Sequence, residues 1–266
     1  MGANDTTPEA SQRRDEKRIR VRELTNAWRG LIIVVSLGSQ CCPPSGVHTA
    51  LAGFPFCVKR GRRTLSEMAS RVALFFDNQN VYKCAREAFE APHALASAGQ
   101  ISPRALADLI VARSLPPGAV DPRVLAEVRV YTGRPSQKQD SKGYAAARRQ
   151  AAAMEKDGVI VVARTLRTKP GRAPQEKGVD VSLAIDFVSG AIDGTYDVGI
   201  IFSADTDLVP ALEFIVNRPG LGVTAEVAAW SDHPNRSLSV AGAHIWCHRL
   251  SRDDYLKVQD RTNYTR

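Results

Sequence analysis

Apolar residues along this chain follow two rhythms. Runs without alternation, such as Val72-Ala73-Leu74-Phe75-Phe76 and Val198-Gly199-Ile200-Ile201-Phe202, have the character of strands buried on both faces. Longer stretches repeat their apolar positions every three or four residues, as a helix with one face on a core does. The pattern predicts strands over 71–77, 125–132, 158–166, 197–203, 222–229 and 244–248, and helices over 79–91, 102–114, 141–156, 178–193 and 207–217. Pro116-Pro117-Gly118 and Lys169-Pro170-Gly171-Arg172-Ala173-Pro174 punctuate the series as loops. Strands alternating with helices specify an α/β fold with a mostly parallel sheet and helices on both of its faces. The chain has no internal repeat, Gly-rich dinucleotide fingerprint, phosphate-loop sequence or heptad seam.

Against this frame, four aspartates stand out. Asp77 ends the first strand run, and Asp205 and Asp207 follow the run that ends at Phe202 and precede a helix. Ligands of open parallel sheets gather outside the carboxyl ends of the strands, so two strands deliver acids to one edge. Asp180 begins a stripe continued by Leu183, Ala184, Phe187 and Ala191, the face that a helix turns to the core. An ionised group buried there without a partner costs several kcal/mol, about enough to neutralise it. Lys177 is the nearest sequence candidate for a compensating cation, while Asp186 lies about 120° round the helix and faces elsewhere. Each acid also has a structural alternative: Asp77 and Asp207 as helix caps, Asp205 as a strand terminator. Carboxylates gathered without matching cations imply a bound divalent metal, and hard oxygen donors suit Mg²⁺ or Mn²⁺.

Three blocks in order, Phe76-Asp77-Asn78-Gln79-Asn80-Val81-Tyr82, Lys177-Gly178-Val179-Asp180-Val181, and Tyr196-Asp197 leading to Ser203-Ala204-Asp205-Thr206-Asp207, carry a resemblance to the NYN domains of the PIN-like nucleases. The similarity spans roughly 71–250, with Ala204 where glycine is common in the family. The resemblance implies a three-layer α/β/α sandwich of PIN-like type, a divalent metal held by Asp77, Asp180, Asp205 and Asp207, and action on RNA. By the same correspondence Asn80 looks like the polar partner of these acids.

The chemistry follows from the donors. A hard divalent ion acidifies water, aligns it with a phosphodiester and neutralises charge on the departing oxygen, so no side chain has to be the nucleophile. Asn78 and Asn80 suit a water or phosphate oxygen, and Ser203 and Thr206 suit the acids or a phosphate; turn formation and capping are their structural alternatives. Basic loops flank the blocks. One holds Arg164, Arg167, Lys169, Arg172 and Lys177, the other Arg134, Lys138, Lys142, Arg148 and Arg149 with Tyr144 among them. Lysine and arginine contact phosphates, and a tyrosine offers a stacking surface to an unpaired base, which together favour single-stranded or structured RNA. The functional expectation is a metal-dependent ribonuclease, with a noncatalytic RNA-binding or regulatory module of the same fold as its alternative. An aspartyl-phosphate phosphatase is disfavoured, because Asp77-Asn78-Gln79 lacks the second acid of Asp-x-Asp.

Composition divides the chain. Of its 266 residues, the first seventy hold eleven basic and six acidic ones, five of the eight net positive charges. Residues 1–67 are expected to be a basic, poorly ordered extension, or sequence upstream of a start at Met68; residues 68–250 form the nuclease-like domain and 251–266 a polar tail. Leu31 to Leu37 is too short an apolar run to span a bilayer, which takes about twenty residues. Five cysteines (Cys41, Cys42, Cys57, Cys84 and Cys247) without a C-x-x-C pair point to a reducing, cytoplasmic setting. His244, Cys247 and His248 on a strand do not share a face, so a core cysteine with edge histidines accounts for them better than zinc does.

Overall fold

The computed structural model describes residues 48–51, 54–57, 69–113, 122–167, 175, 177–233 and 237–265. The chain divides into two units, Met1–Arg62 and Arg63–Arg266. In the first, β1 (His48–Leu51) and β2 (Phe54–Cys57) form an antiparallel ladder. Met68, Arg172, and the rest of the expected 1–67 extension lie outside the described residues.

The second unit is built on six strands: β3 (Ser70–Asp77), β4 (Arg123–Arg134), β5 (Ile160–Thr165), β6 (Val198–Phe202), β7 (Thr224–Trp230) and β8 (Trp246–Leu250). They form one sheet in the order β5-β4-β3-β6-β7-β8, every pair parallel. The helices are α1 (Asn78–Phe89), α2 (Pro103–Val111), α3 (Ser141–Lys156), α4 (Val179–Ile192), α5 (Val209–Val216) and α6 (Arg252–Val258).

The unbroken apolar runs are explained by a sheet covered on both sides. Along β3, Val72, Leu74 and Phe76 pack with α1, α2, α6 and Met154 of α3. Ala73 and Phe75 point the other way, onto α4 and α5 through Leu183, Phe187, Leu212 and Ile215. The result is a three-layer α/β/α sandwich. Its strand order reverses direction between β3 and β6, and such a reversal opens a crevice at the carboxyl ends of the two strands. Phe76 pairs with Phe202 there, so Asp77 and Ser203 are the next residues out on neighbouring strands.

Two local differences from the pattern have simple causes. The helix expected over 207–217 begins as a 3₁₀ turn, Thr206–Leu208, and becomes α5 at Val209, with Pro210 in its first turn. The stretch expected to be a polar tail carries α6. Ser251 and Asp254 form a reciprocal capping box, and the helix buries Tyr255 and Val258. Tyr255 stacks on Phe89 and donates a hydrogen bond to Glu90, while Asp254 pairs with Arg113. Among the described residues, no helix is long and apolar enough to cross a membrane.

A buried charge network, unforeseen in the sequence, ties β4, β7 and β8 together. Glu226, 1 % exposed, accepts two hydrogen bonds from Arg123 at 2.9 and 2.6 Å and lies 2.8 Å from Nε2 of His248. His248 stands on the edge strand β8, as expected, but is buried as a partner of this network, while Cys247 is half-buried and His244 exposed. Burial works to raise the Glu226 pKa, but the bonds from Arg123 and His248 outweigh it and hold the carboxyl below its ordinary 4.5. Its folded pKa being depressed, Glu226 stabilises the fold fully above pH 4.5 and loses that contribution as pH falls through the lower folded value. Glu226→Ala leaves Arg123 buried without a counter-charge and is expected to cost about 3–5 kcal/mol in urea unfolding at pH 7. The gap from wild type should shrink on acidification below pH 4.5. An unfolding midpoint unchanged by the substitution would contradict this role.

Candidate functional site

The crevice between β3 and β6 opens into a cavity of about 270 Å³, lined by Asp77, Gln79, Asn80, Lys83, Asp180 and Asp205 together with Val179. Three of the four expected acids thus meet in one place, delivered by three separate elements. Asp207 lines an adjoining groove of about 530 Å³ that shares Asp180 with the cavity and runs between α4 and α5 past Ile185, Val188 and Phe214.

Asp77 is both a cap and a cavity wall. Its Oδ1 accepts from the backbone N–H of Asn80, capping α1, at 3.2 Å, and its Oδ2 accepts from Ser203 Oγ at 3.0 Å. With only 9 % of its surface exposed, burial pushes its pKa up, against the two hydrogen bonds, and the negative charges of Asp205 and Asp180 push the same way. Ser203 is buried and fully engaged: its hydroxyl also accepts from the N–H of Asp205 at 3.0 Å. Of the two roles expected for it, supporting the acids is the one its contacts serve.

Asn80 holds the other half of the frame. Its Oδ1 accepts from the N–H of Ala204 at 2.8 Å, tying α1 to the loop that carries Asp205. Cys84 donates to the same oxygen at 3.4 Å. Burial, and then the Glu87 charge, pushes the Cys84 thiol up to about 11, which leaves it protonated and no nucleophile at neutral pH. Asp205 caps the 3₁₀ turn through the N–H of Asp207 at 3.0 Å. The capping acids are therefore Asp77 and Asp205, not Asp77 and Asp207.

Asp180 is not buried in the core as its stripe suggested. Gly178, at φ 74°, takes the left-handed turn that starts α4, so Asp180 falls in the first helical turn, half-buried above the crevice, with Leu183, Phe187 and Ala191 continuing inward. A carboxylate there gains from the helix dipole. Lys177 is exposed. Among the described residues, no ion pair within 4.0 Å involves any of the four acids. Asp186 faces elsewhere, accepting from Tyr131 at 2.8 Å and pairing with Arg129.

The other expected residues that are described do not line the cavity. Asn78 donates to Thr132 at 3.4 Å, Thr206 is exposed on the 3₁₀ turn, and Tyr144 of α3 lies under the Arg134 guanidinium, 5.1 Å from its ring centre. Arg164 donates to Ser182 at 2.9 Å. Two cavity residues, Gln79 and Lys83, escaped the sequence reading. For Lys83 the one signal was its spacing of three from Asn80 on α1; Gln79 had none.

Carboxylate oxygens around a cavity of this size are the donor set of a hard divalent cation. Among the described residues, no three acidic, histidine or cysteine side chains already stand in ligating positions, so an ion bound here would require the half-buried Asp180 and Asp205 to turn toward it.

The NYN domain profile matches residues 71–244. Solved structures give two matching chains, one of them the crystal structure of a protein of unknown function, VPA0982, from Vibrio parahaemolyticus RIMD 2210633. It is 19 % identical, covers 62 % of this chain and 83 % of its own, and superposes with a TM-score of 0.43. No curated protein matches the chain.

Two outcomes follow from the geometry. Ionised Asp77 opposes folding above its raised pKa, and the penalty vanishes only as pH falls toward the ordinary 3.8. Asp77→Asn keeps a cap and a Ser203 partner without the charge, so in EDTA at neutral pH its melting temperature is expected to equal or exceed that of wild type, with Mg²⁺ no longer raising it. A large loss of stability in EDTA would refute the electrostatic reading. Asn80→Ala removes the acceptor for Ala204 N–H and is expected to cost about 1–3 kcal/mol in urea unfolding. An unfolding midpoint unchanged by the substitution would show that the hydrogen bond does not hold the loop.

Proposed function

Because the chain belongs to the NYN domain family, whose fold is nuclease-like, we propose that it is a ribonuclease that hydrolyses RNA phosphodiesters with Mg²⁺ or Mn²⁺. One observation supports this most: Asp77, Asp180 and Asp205 converge from three elements on a single cavity, and no cation of the described residues pairs with them. Burial raises the Asp77 pKa and the charges of Asp205 and Asp180 add to it, and a divalent ion would offset both.

Asp77, Asp180 and Asp205 would hold the ion, with Asp207 approaching from the adjoining groove that shares Asp180. When bound, the ion supplies acidified water and charge neutralisation at phosphate oxygens. The protein's own part is positional. Ser203 fixes the Asp77 carboxylate, Asn80 fixes the loop of Asp205, and the capping bonds hold both acids before substrate arrives. In the hydrolysis, a water oxygen bonds to phosphorus as the bond to the departing ribose oxygen breaks. That oxygen keeps the electron pair and takes up a proton, while the attacking water gives one to solvent. Arg134 ends β4, Arg164 is the next-to-last residue of β5 and Lys177 precedes α4, so all three lie toward the strand ends from which a polyanion would approach the cavity.

The test is cleavage of single-stranded and folded RNA by metal-stripped protein, with Mg²⁺ or Mn²⁺ restored, beside Asp205→Asn. Cutting that depends on the metal and falls at least about 100-fold in the mutant is expected, in line with loss of one electrostatic transition-state contact. Well-folded wild type that binds RNA without cutting it under either metal would replace the reading with a noncatalytic RNA-binding module.

A further inference from the structure

Lys83 is the one cation among the described residues that lines the acidic cavity. It projects from the exposed side of α1, while its neighbours Val81, Cys84 and Ala85 turn inward. Its position has a second feature. Although it shares the cavity with Asp77, Asp180 and Asp205, it forms an ion pair with none of them within 4.0 Å. A lysine whose role was to neutralise the acids would lie against one of them, since a flexible four-carbon stem gives it the reach.

Charge decides what the position is for. Three carboxylates and one lysine give the cavity lining a formal net charge of minus two, which a single divalent ion cancels. A phosphodiester entering afterwards brings another negative charge, and the carboxylates around it repel that charge. The cavity's own lysine is then its one cationic group among the described residues able to meet a non-bridging phosphate oxygen, reaching it from α1 while Asp205 stands on the β6 loop. Asn80, three residues earlier on α1, is occupied with Ala204 and cannot turn toward substrate without releasing that loop.

Resting on the ribonuclease reading above, we propose that Lys83 is the substrate-phosphate contact of the site: its ammonium group holds a non-bridging oxygen of the scissile phosphate and stabilises the charge that grows there during displacement. It acts on substrate and not on the metal, which separates it from the acids.

The experiment compares wild type, Lys83→Met and Lys83→Arg by three readouts: Mn²⁺ binding by electron paramagnetic resonance without RNA, cleavage of a short single-stranded RNA, and binding of that RNA to Mn²⁺-loaded protein by fluorescence anisotropy. Lys83→Met is expected to bind Mn²⁺ as tightly as wild type or tighter, to cleave about 100-fold more slowly at saturating RNA, and to regain part of the rate as Lys83→Arg. Unchanged cleavage by Lys83→Met overturns the proposal, as does weakened Mn²⁺ binding, which would make Lys83 a support of the metal site. If wild type binds RNA and Mn²⁺ without cutting, the ribonuclease reading fails on its own. The phosphate contact then stands if Lys83→Met binds RNA more weakly with Mn²⁺ binding intact, and falls if RNA affinity is unchanged.

Discussion

A carboxylate has to remain beneath an α/β/α sandwich's surface, at the one edge where two central strands part company, and the architecture around it answers to that constraint. Asp77 ends β3 at the reversal of strand order, 9 % exposed, with Asp180 and Asp205 adding like charge. The protein meets part of the cost with two hydrogen bonds, one from the first turn of α1 and one from Ser203. It leaves the rest unmet. Side chains that only stabilised the fold would be paired, as Glu226 is by Arg123 and His248 deeper in the same sheet. These two buried acids differ accordingly, one pushed up in pKa and one held down, a contrast that the proposed metal role of Asp77 accounts for.

The connections among the site residues also tie its elements to one another. Ser203 bonds Asp77 and the backbone of Asp205, Asn80 bonds the backbone of Ala204, and Asp77 caps the helix that carries Asn80. The ring of contacts links β3, α1 and the β6 loop. A displacement of any one of them is felt by the other two, so the placement of the site's backbone is a property of short polar bonds laid over a packed apolar sheet.

Much of this was legible in the chain. The strands were visible because a doubly covered sheet demands uninterrupted apolar runs, and the run ending at Phe76 put Asp77 at a strand's carboxyl end. The same argument placed Asp205 beyond Phe202. Asp180 was found by helical spacing, but its depth was misjudged because periodicity gives a face and says nothing about which turn of the helix leaves the core; Gly178 made that turn the first. Asp207 falls beside the cavity because the 3₁₀ turn after Asp205 carries it toward α5. Lys83 went unnoticed among polar positions of an amphipathic helix, where lysine is common and carries no signal alone. Glu226 and His248 were hidden for a different reason: Glu226 bonds both His248 and Arg123, the latter 103 residues away, and long-range pairing leaves no periodic trace. The capping box at Ser251 and Asp254 was present to be read, but the polar residues around it masked a helix only seven residues long.

The central claim is that the three converging carboxylates form a metal centre. Diffraction from crystals soaked in Mn²⁺, collected at a wavelength where manganese scatters anomalously, tests it most directly. The account predicts an anomalous peak within coordination distance of carboxylate oxygens of Asp77, Asp180 and Asp205. A well-ordered cavity with no peak under Mn²⁺, or a peak held by other residues alone, would contradict it.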